Sequence, residues 1–260
     1  MKQLVLTSLR GGCGSTTITA NLSQALVKIN KRVLAVEADP ANLLGIHLGL
    51  SLDEHDGWAS RRLQDKRLLD AGYMSPQGVL FLPFGQLSFE QHLEFEANKN
   101  KHLYSLVKAT LNVTENHSEQ WQLFHLGLSA LNSLTNQGCI DAIDMIFIAI
   151  TADAVSYSAL LSWTERCPIF DELLGKNKLR IVINQYQPET EVGRDFMIVL
   201  KKEFGSILVP VLLHRDTALL DCVANLTTVQ HYSPVSQAAK DFQSLAFWCV
   251  SALSPHHSQG

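Results

Sequence analysis

Residues 3–17 read QLVLTSLRGGCGSTT: a mostly apolar run, three glycines within four positions, then consecutive hydroxyl side chains. The run 3–9 has the composition of a strand covered on both faces. Arg10-Gly11-Gly12-Cys13-Gly14-Ser15-Thr16-Thr17 follows, and Ile18, Leu22, Leu26 and Ile29 then recur at helical spacing. Strand, glycine turn and helix N-terminus in succession make an anion site. Glycine lets the backbone wrap closely, successive N–H groups point inward, and the helix dipole adds positive potential. Two alternatives stand beside it. One is a tight turn that binds nothing. The other is an NAD-type dinucleotide turn, because Gly12-x-Gly14 with Glu37 closing the second strand meets part of that fingerprint. Its third glycine would fall at Thr17, however, and a Ser-Thr-Thr run is what a magnesium–phosphate site uses.

Outward from this loop, short apolar runs alternate with longer helical patterns. The runs are RVLAVEA (32–38), GVLFLPF (78–84), WQLFHL (121–126), DMIFIAI (144–150), LRIVIN (179–184) and ILVPVLL (207–213). This alternation predicts an α/β fold with a doubly wound, mostly parallel sheet flanked by helices, in one domain spanning 1–253. Ser233-Pro234 predicts the start of a last helix, an N-cap followed by proline, with Val235, Ala239, Phe242, Leu245 and Val250 on one face. The tail SPHHSQG (254–260) predicts disorder, and the more polar stretch 85–120 is expected to be an insertion or a partner surface.

Composition sets outer bounds. In 260 residues, 46% hydrophobic and 18% charged, there is ample material for a core, which excludes a disordered chain. Lys and Arg number 21 against 25 Asp and Glu, so no nucleic-acid partner is expected. Nor does any apolar run approach the roughly 18 residues of a membrane helix. Five scattered cysteines without CxxC spacing suit reduced thiols in a cytoplasmic protein. Ten histidines show no HExxH, and no GxSxG is present, so zinc hydrolase and α/β-hydrolase chemistry lack support. The last helix carries only Lys240 as a basic residue, so packing on the sheet is favoured over lipid binding.

Residues 10–17 resemble the deviant Walker A loop of the MinD/ParA-like (SIMIBI) P-loop NTPases, K-G-G-x-G-K-T-[ST]. Val33 to Pro40 with Asn42 resembles that family's second strand and its exit. Ile183-Asn184-Gln185-Tyr186, Val209-Pro210 with His214-Arg215-Asp216, and Tyr232-Ser233-Pro234-Val235-Ser236 are similar to its later segments. Within the family, RGGxG[ST]TT, Gly57-Trp58-Ala59 and Leu82-Pro83-Phe84-Gly85-Gln86-Leu87-Ser88 look like the BcsQ branch of bacterial cellulose biosynthesis proteins.

The resemblance implies ATP and Mg²⁺ as ligands and a homodimer closed over nucleotide. By it, residues 11–17 cradle phosphate and Arg10 reaches the neighbouring subunit's phosphates. Thr16 ligates Mg²⁺, Thr17 contacts the α-phosphate, and Glu37 holds Mg²⁺ through water. Asp39 orients the attacking water, Asn184 recognises adenine, and Pro210 belongs to the loop beside it. It further implies a BcsR-like small partner, a BcsE-like regulator and the cellulose synthase secretion complex, with membrane recruitment only through partners. Two departures alter the chemistry. Ser15 replaces the Walker lysine, and His125, followed by Gly127 rather than proline, replaces the Walker B aspartate. Both remove groups on which phosphoryl transfer depends, so ATP is expected to bind weakly to moderately and to be hydrolysed slowly or not at all. The alternatives are an active ATPase cycling on DNA or membrane, and a scaffold whose pocket stays empty.

Overall fold

The computed structural model describes residues 1–111, 120–136 and 139–254. Seven strands form one sheet: β1 Lys2–Ser8, β2 Arg32–Glu37, β3 Tyr73–Met74, β4 Leu80–Leu82, β5 Gln120–His125, β6 Met145–Thr151 and β7 Leu179–Asn184. Their order is β3-β4-β2-β5-β1-β6-β7. Every pairing is parallel except the short β3–β4 ladder at one edge. The expected doubly wound α/β architecture is therefore present. From β1, an interior strand, the chain winds first toward β2 and later toward β6, so β1 leads into the crevice where such sheets bind ligands.

Side-chain alternation explains why the strands read as continuous apolar runs. Leu4, Leu6 and Phe147 face a core shared with helix α1 (Ser15–Lys28) and the last helix, Gln237–Ala252. Val5, Ile146 and Ile148 face the opposite core, where helices Lys99–Leu111, Leu128–Asn136 and Ala154–Arg166 pack. Both faces are buried, so residues of either parity are mostly apolar.

Two expectations need correction. The run 207–213 is not a full strand: Val209 N–H donates to Ile181 O, and the next donation to β7 comes only from Leu213 N–H to Ile183 O. The segment between bows off the ladder around Pro210, whose ring fixes φ and removes a donor. The last helix begins at Gln237, with Ser236 capping the Ala239 N–H, rather than at Ser233-Pro234. Val235 consequently lies before the helix and is 79% exposed instead of lining its buried face. Of the tail 254–260, only Ser254 lies within the described residues. The polar stretch after residue 85 contains a helix Phe89–Ala97, capped by Ser88, that leaves Phe89 and Leu93 exposed.

The phrases Gly57-Trp58-Ala59 and Leu82 to Ser88 turn out to be packing partners. Trp58 N–H donates to Pro83 O and Ala59 N–H to Phe84 O, which brings two glycines back to back. A Cβ on Gly57 would lie 2.1 Å from Gly85 N and 2.3 Å from its Cα. The fully buried Trp58 meets Phe84 and Phe95 edge-on, with centroids at 5.3 and 5.6 Å. Its Nε1–H donates to the backbone oxygen of Glu37 at 2.6 Å, so this cluster buttresses the end of β2. Because the obstacle at Gly57 is backbone, Gly57→Ala is expected to cost about 3 kcal/mol, the upper end of ordinary overpacking. Urea unfolding followed by tryptophan fluorescence measures it; an unchanged midpoint would refute the back-to-back contact.

Candidate functional site

Gly12 and Gly14 adopt left-handed backbone, at φ +82° and +85°, and carry the chain from β1 into α1. Gly14 is the N-cap of α1, and no side chain caps this end through a hydrogen bond. The first-turn N–H groups thus open on the loop, as an anion site requires. Gly14 also needs the absence of a side chain, since a Cβ there would sit 2.3 Å from Asn184 Nδ2. Asn184 donates to Cys13 O at 2.8 Å, and Gln185 Nε2 donates to Gly12 O at 2.8 Å. The end of β7 therefore fixes the loop from one side. Thr17 is half-buried in the first turn of α1, and Gly11 is exposed with open space around it.

Arg10 is held within its own chain. Its Nη2 donates to Asp153 at 2.9 Å and to Thr151 Oγ1 at 2.7 Å, and Nε donates to Ser156 Oγ at 3.2 Å. Asp153 is the N-cap of helix Ala154–Arg166, accepting the Ser156 N–H through its other oxygen at 2.8 Å. Burial would raise the Asp153 carboxyl, but Thr151, the Ser156 N–H and Arg10 together hold it below the usual carboxylate range. A cavity of about 420 Å³ opens here, lined by Arg10, Gly12, Asp153, Gln185, Tyr186 and Arg215 among others. The exposed Pro210 does not line it.

Beneath the loop lies a buried polar chain. Glu37 and His125 are register partners at the ends of β2 and β5, on the α1 side of the sheet. His125 Nδ1 lies 2.7 Å from Glu37 Oε1, and the side chains are 6% and 0% exposed. Glu37 also accepts the Asp39 N–H at 2.9 Å and the Leu44 N–H at 3.0 Å. On its far side, His125 Nε2 lies 3.0 Å from Ser15 Oγ and 3.3 Å from Thr16 Oγ1. Burial alone would push His125 down, but the charge and hydrogen bond of Glu37, helped by Asp39, outweigh it and raise its pKa. The buried His47 goes the other way, to about 4, through desolvation and the neighbouring His125. Asp39 is half-buried at the mouth; one oxygen accepts the Ala41 N–H, and the other would lie 3.4 Å from a Cβ at Gly127.

The structure thus brings Ser15, Thr16, Glu37 and His125 together under the loop, and Arg10 beside it. Sequence reading missed the Thr151–Asp153–Ser156 clamp, although Asp153 at a strand end, three residues before Ser156, is a helix-start signal. The residues expected to hold Mg²⁺ fit that ion poorly. A hard cation takes oxygen ligands, yet Glu37 has both oxygens engaged and the Thr16 hydroxyl faces an imidazole nitrogen. Among the described residues no three His, Cys, Asp or Glu side chains gather as a metal site.

Comparison with known proteins adds relatives to this geometry. Residues 1–250 match the profile of a family described as "Cellulose biosynthesis protein BcsQ". The cellulose biosynthesis protein BcsQ of Escherichia coli K12 is 30% identical over 250 residues, covering 96% of this chain and 94% of that one. Among solved structures, the cell division ATPase MinD of Pyrococcus furiosus superposes with a TM-score of 0.71 at 22% identity, covering 96% and 99% of the two chains. MinD of Pyrococcus horikoshii, solved with Mg-ADP, gives 0.68 at 21% identity, covering 94% of each. These last two are likenesses of fold.

The buried histidines give stability a pH signature. Folding raises the pKa of His125, so its contribution is full below 6.5 and is lost as pH rises through the raised value. Folding lowers that of His47, so its contribution is lost as pH falls from 6.5 toward about 4. Thermal midpoints should therefore decline on both sides of neutrality. His125→Gln should flatten the alkaline limb and His47→Gln the acid one; limbs that both variants leave unchanged would contradict the assignment.

Proposed function

The chain belongs to the family of the cellulose biosynthesis protein BcsQ, and from that premise we propose that it is a nucleotide-dependent dimeric switch for a bacterial cellulose synthase secretion complex. It is a ParA-like protein related to cellulose synthesis, which sets aside the NAD-type reading of Gly12-x-Gly14. In this reading ATP lies with its phosphates on the N–H groups of residues 11–17 and on the α1 N-terminus, Thr17 beside the α-phosphate. Asn184 and Pro210 belong to the base end. Asp39 is the carboxylate left at the mouth to orient water.

The observation that carries the reading is the chain Ser15–His125–Glu37 under the loop. A lysine at position 15 would bring charge to the outer phosphates, and a charge-assisted hydrogen bond contributes about 1.5–3 kcal/mol. An acid at position 125 would help position metal and water. This chain has a hydroxyl and an imidazole there instead, so it keeps a phosphate cradle while lacking two groups that drive phosphoryl transfer. ATP then acts as a ligand that closes a dimer rather than as a fuel. Arg10 would cross to the neighbouring subunit's phosphates, exchanging one anionic partner, Asp153, for another. The closed dimer would present its surface to a BcsR-like protein, a BcsE-like regulator and the synthase. The location is cytoplasmic, at the inner membrane through partners; no helix among the described residues is long and apolar enough to cross a membrane.

Equilibrium ATP binding alongside phosphate release tests this. Binding with turnover far below that of MinD-like ATPases is expected, and Ser15→Lys with His125→Asp should raise turnover. Wild-type hydrolysis at their level, stimulated by DNA or lipid vesicles, would favour the cycling ATPase instead. The Arg10 clamp gives a second test. Asp153→Asn keeps a helix N-cap but frees the guanidinium, so light scattering should show the ATP-dependent dimer forming at several-fold lower ATP. A dimer requiring more ATP would count against Arg10 as the bridging residue.

A further inference from the structure

We propose that nucleotide binding at this loop is indifferent to divalent cations, because His125 engages both Glu37 and the Thr16 hydroxyl, the groups that would otherwise hold the metal. The inference rests on the nucleotide reading above and specifies how this chain holds a free nucleoside triphosphate.

Three arrangements support it. Glu37 is a structural acceptor. Besides His125 it takes the N–H groups of Asp39 and Leu44, which shape the chain's exit from β2, and it is fully buried. Turning it toward a hydrated cation would break those bonds and strand buried donors. His125 is oriented by that carboxylate: Nδ1 faces Glu37, which leaves Nε2 aimed at the Ser15 and Thr16 hydroxyls. Imidazole suits softer transition metals, and Mg²⁺ prefers carboxylate, carbonyl and water oxygens. Thr16 Oγ1, the expected metal ligand, therefore meets a nitrogen where the acid would stand. Lastly, hydroxyls both donate and accept, so Ser15 and Thr16 can meet Nε2 with either element donating. A phosphate oxygen only accepts. Arriving at Ser15, it accepts that hydroxyl's O–H, and Nε2 keeps the Thr16 hydroxyl as its partner, with no change in the protons His125 carries. Asp39 remains a half-buried carboxylate at the mouth, already accepting the Ala41 N–H.

The test is a titration of the full chain with a fluorescent ATP analogue, once with excess MgCl₂ and once with EDTA. The expected result is a Kd in EDTA within about threefold of that in Mg²⁺. A loss of about tenfold or more in EDTA overturns the inference and leaves the nucleotide reading standing. No binding in either buffer overturns both. Nitrogen-15 spectra of the histidines should show Nε2 of His125 shifting on ATP addition in EDTA, and an unmoved signal would count against it. The double variant Glu37→Gln with His125→Asp, which restores an acid without pairing two buried carboxylates, should acquire a dependence on Mg²⁺ of about tenfold. Circular dichroism establishes whether it folds. If it does not, the wild-type titration and spectra decide alone.

Discussion

The bond between Glu37 and His125 is the constraint around which the site is arranged. A fully buried carboxylate is costly unless it is paired and hydrogen-bonded, and here it is both. Glu37 ties the ends of β2 and β5 together, pins the turn leading to Leu44, and through His125 reaches the first residues of α1. From the opposite face Trp58 holds the backbone oxygen of the same residue. The Gly57–Gly85 contact is what lets the Trp58 cluster come that close. Packing on one face of the sheet thus reaches the polar floor of the loop on the other.

The second wall of the loop is built differently. Arg10 lies against the helix that leaves β6, in a clamp of one carboxylate and two hydroxyls at a half-exposed site. Such a pair contributes little to stability, since solvent screens it. Its consequence is positional: the guanidinium is parked beside the glycine loop and faces a cavity. The loop therefore has a buried polar floor and a salt-bridged cation at its rim.

Much of the fold was legible. Continuous apolar runs at residues 3–9, 144–150 and 179–184 signalled strands covered on both faces, and six of the seven runs contain strands. The failures have local causes. Pro210 interrupts a run whose composition alone reads as strand, and Ser236 competes with Ser233-Pro234 as the N-cap and prevails. At the site, the loop glycines, Ser15, Glu37 and His125 were all identifiable by type and position. Their mutual hydrogen bonds were not, because residues 37 and 125 are 88 positions apart, and Arg10 and Asp153 are 143 apart.

By itself, then, the sequence determined that a strand feeds a glycine loop and a helix, that no lysine stands at position 15, and that histidine stands at position 125. These are properties of residue order and local periodicity, which backbone geometry translates directly. Only the tertiary structure decided that Glu37 answers to His125 rather than facing the loop. Strand parity restricts each of the two side chains to a face. It takes the order β2-β5-β1 and the in-register pairing of β2 with β5 to set them side by side beneath α1. Register is fixed by burial of both faces of the whole sheet, a sum over distant residues that no single stretch of chain contains.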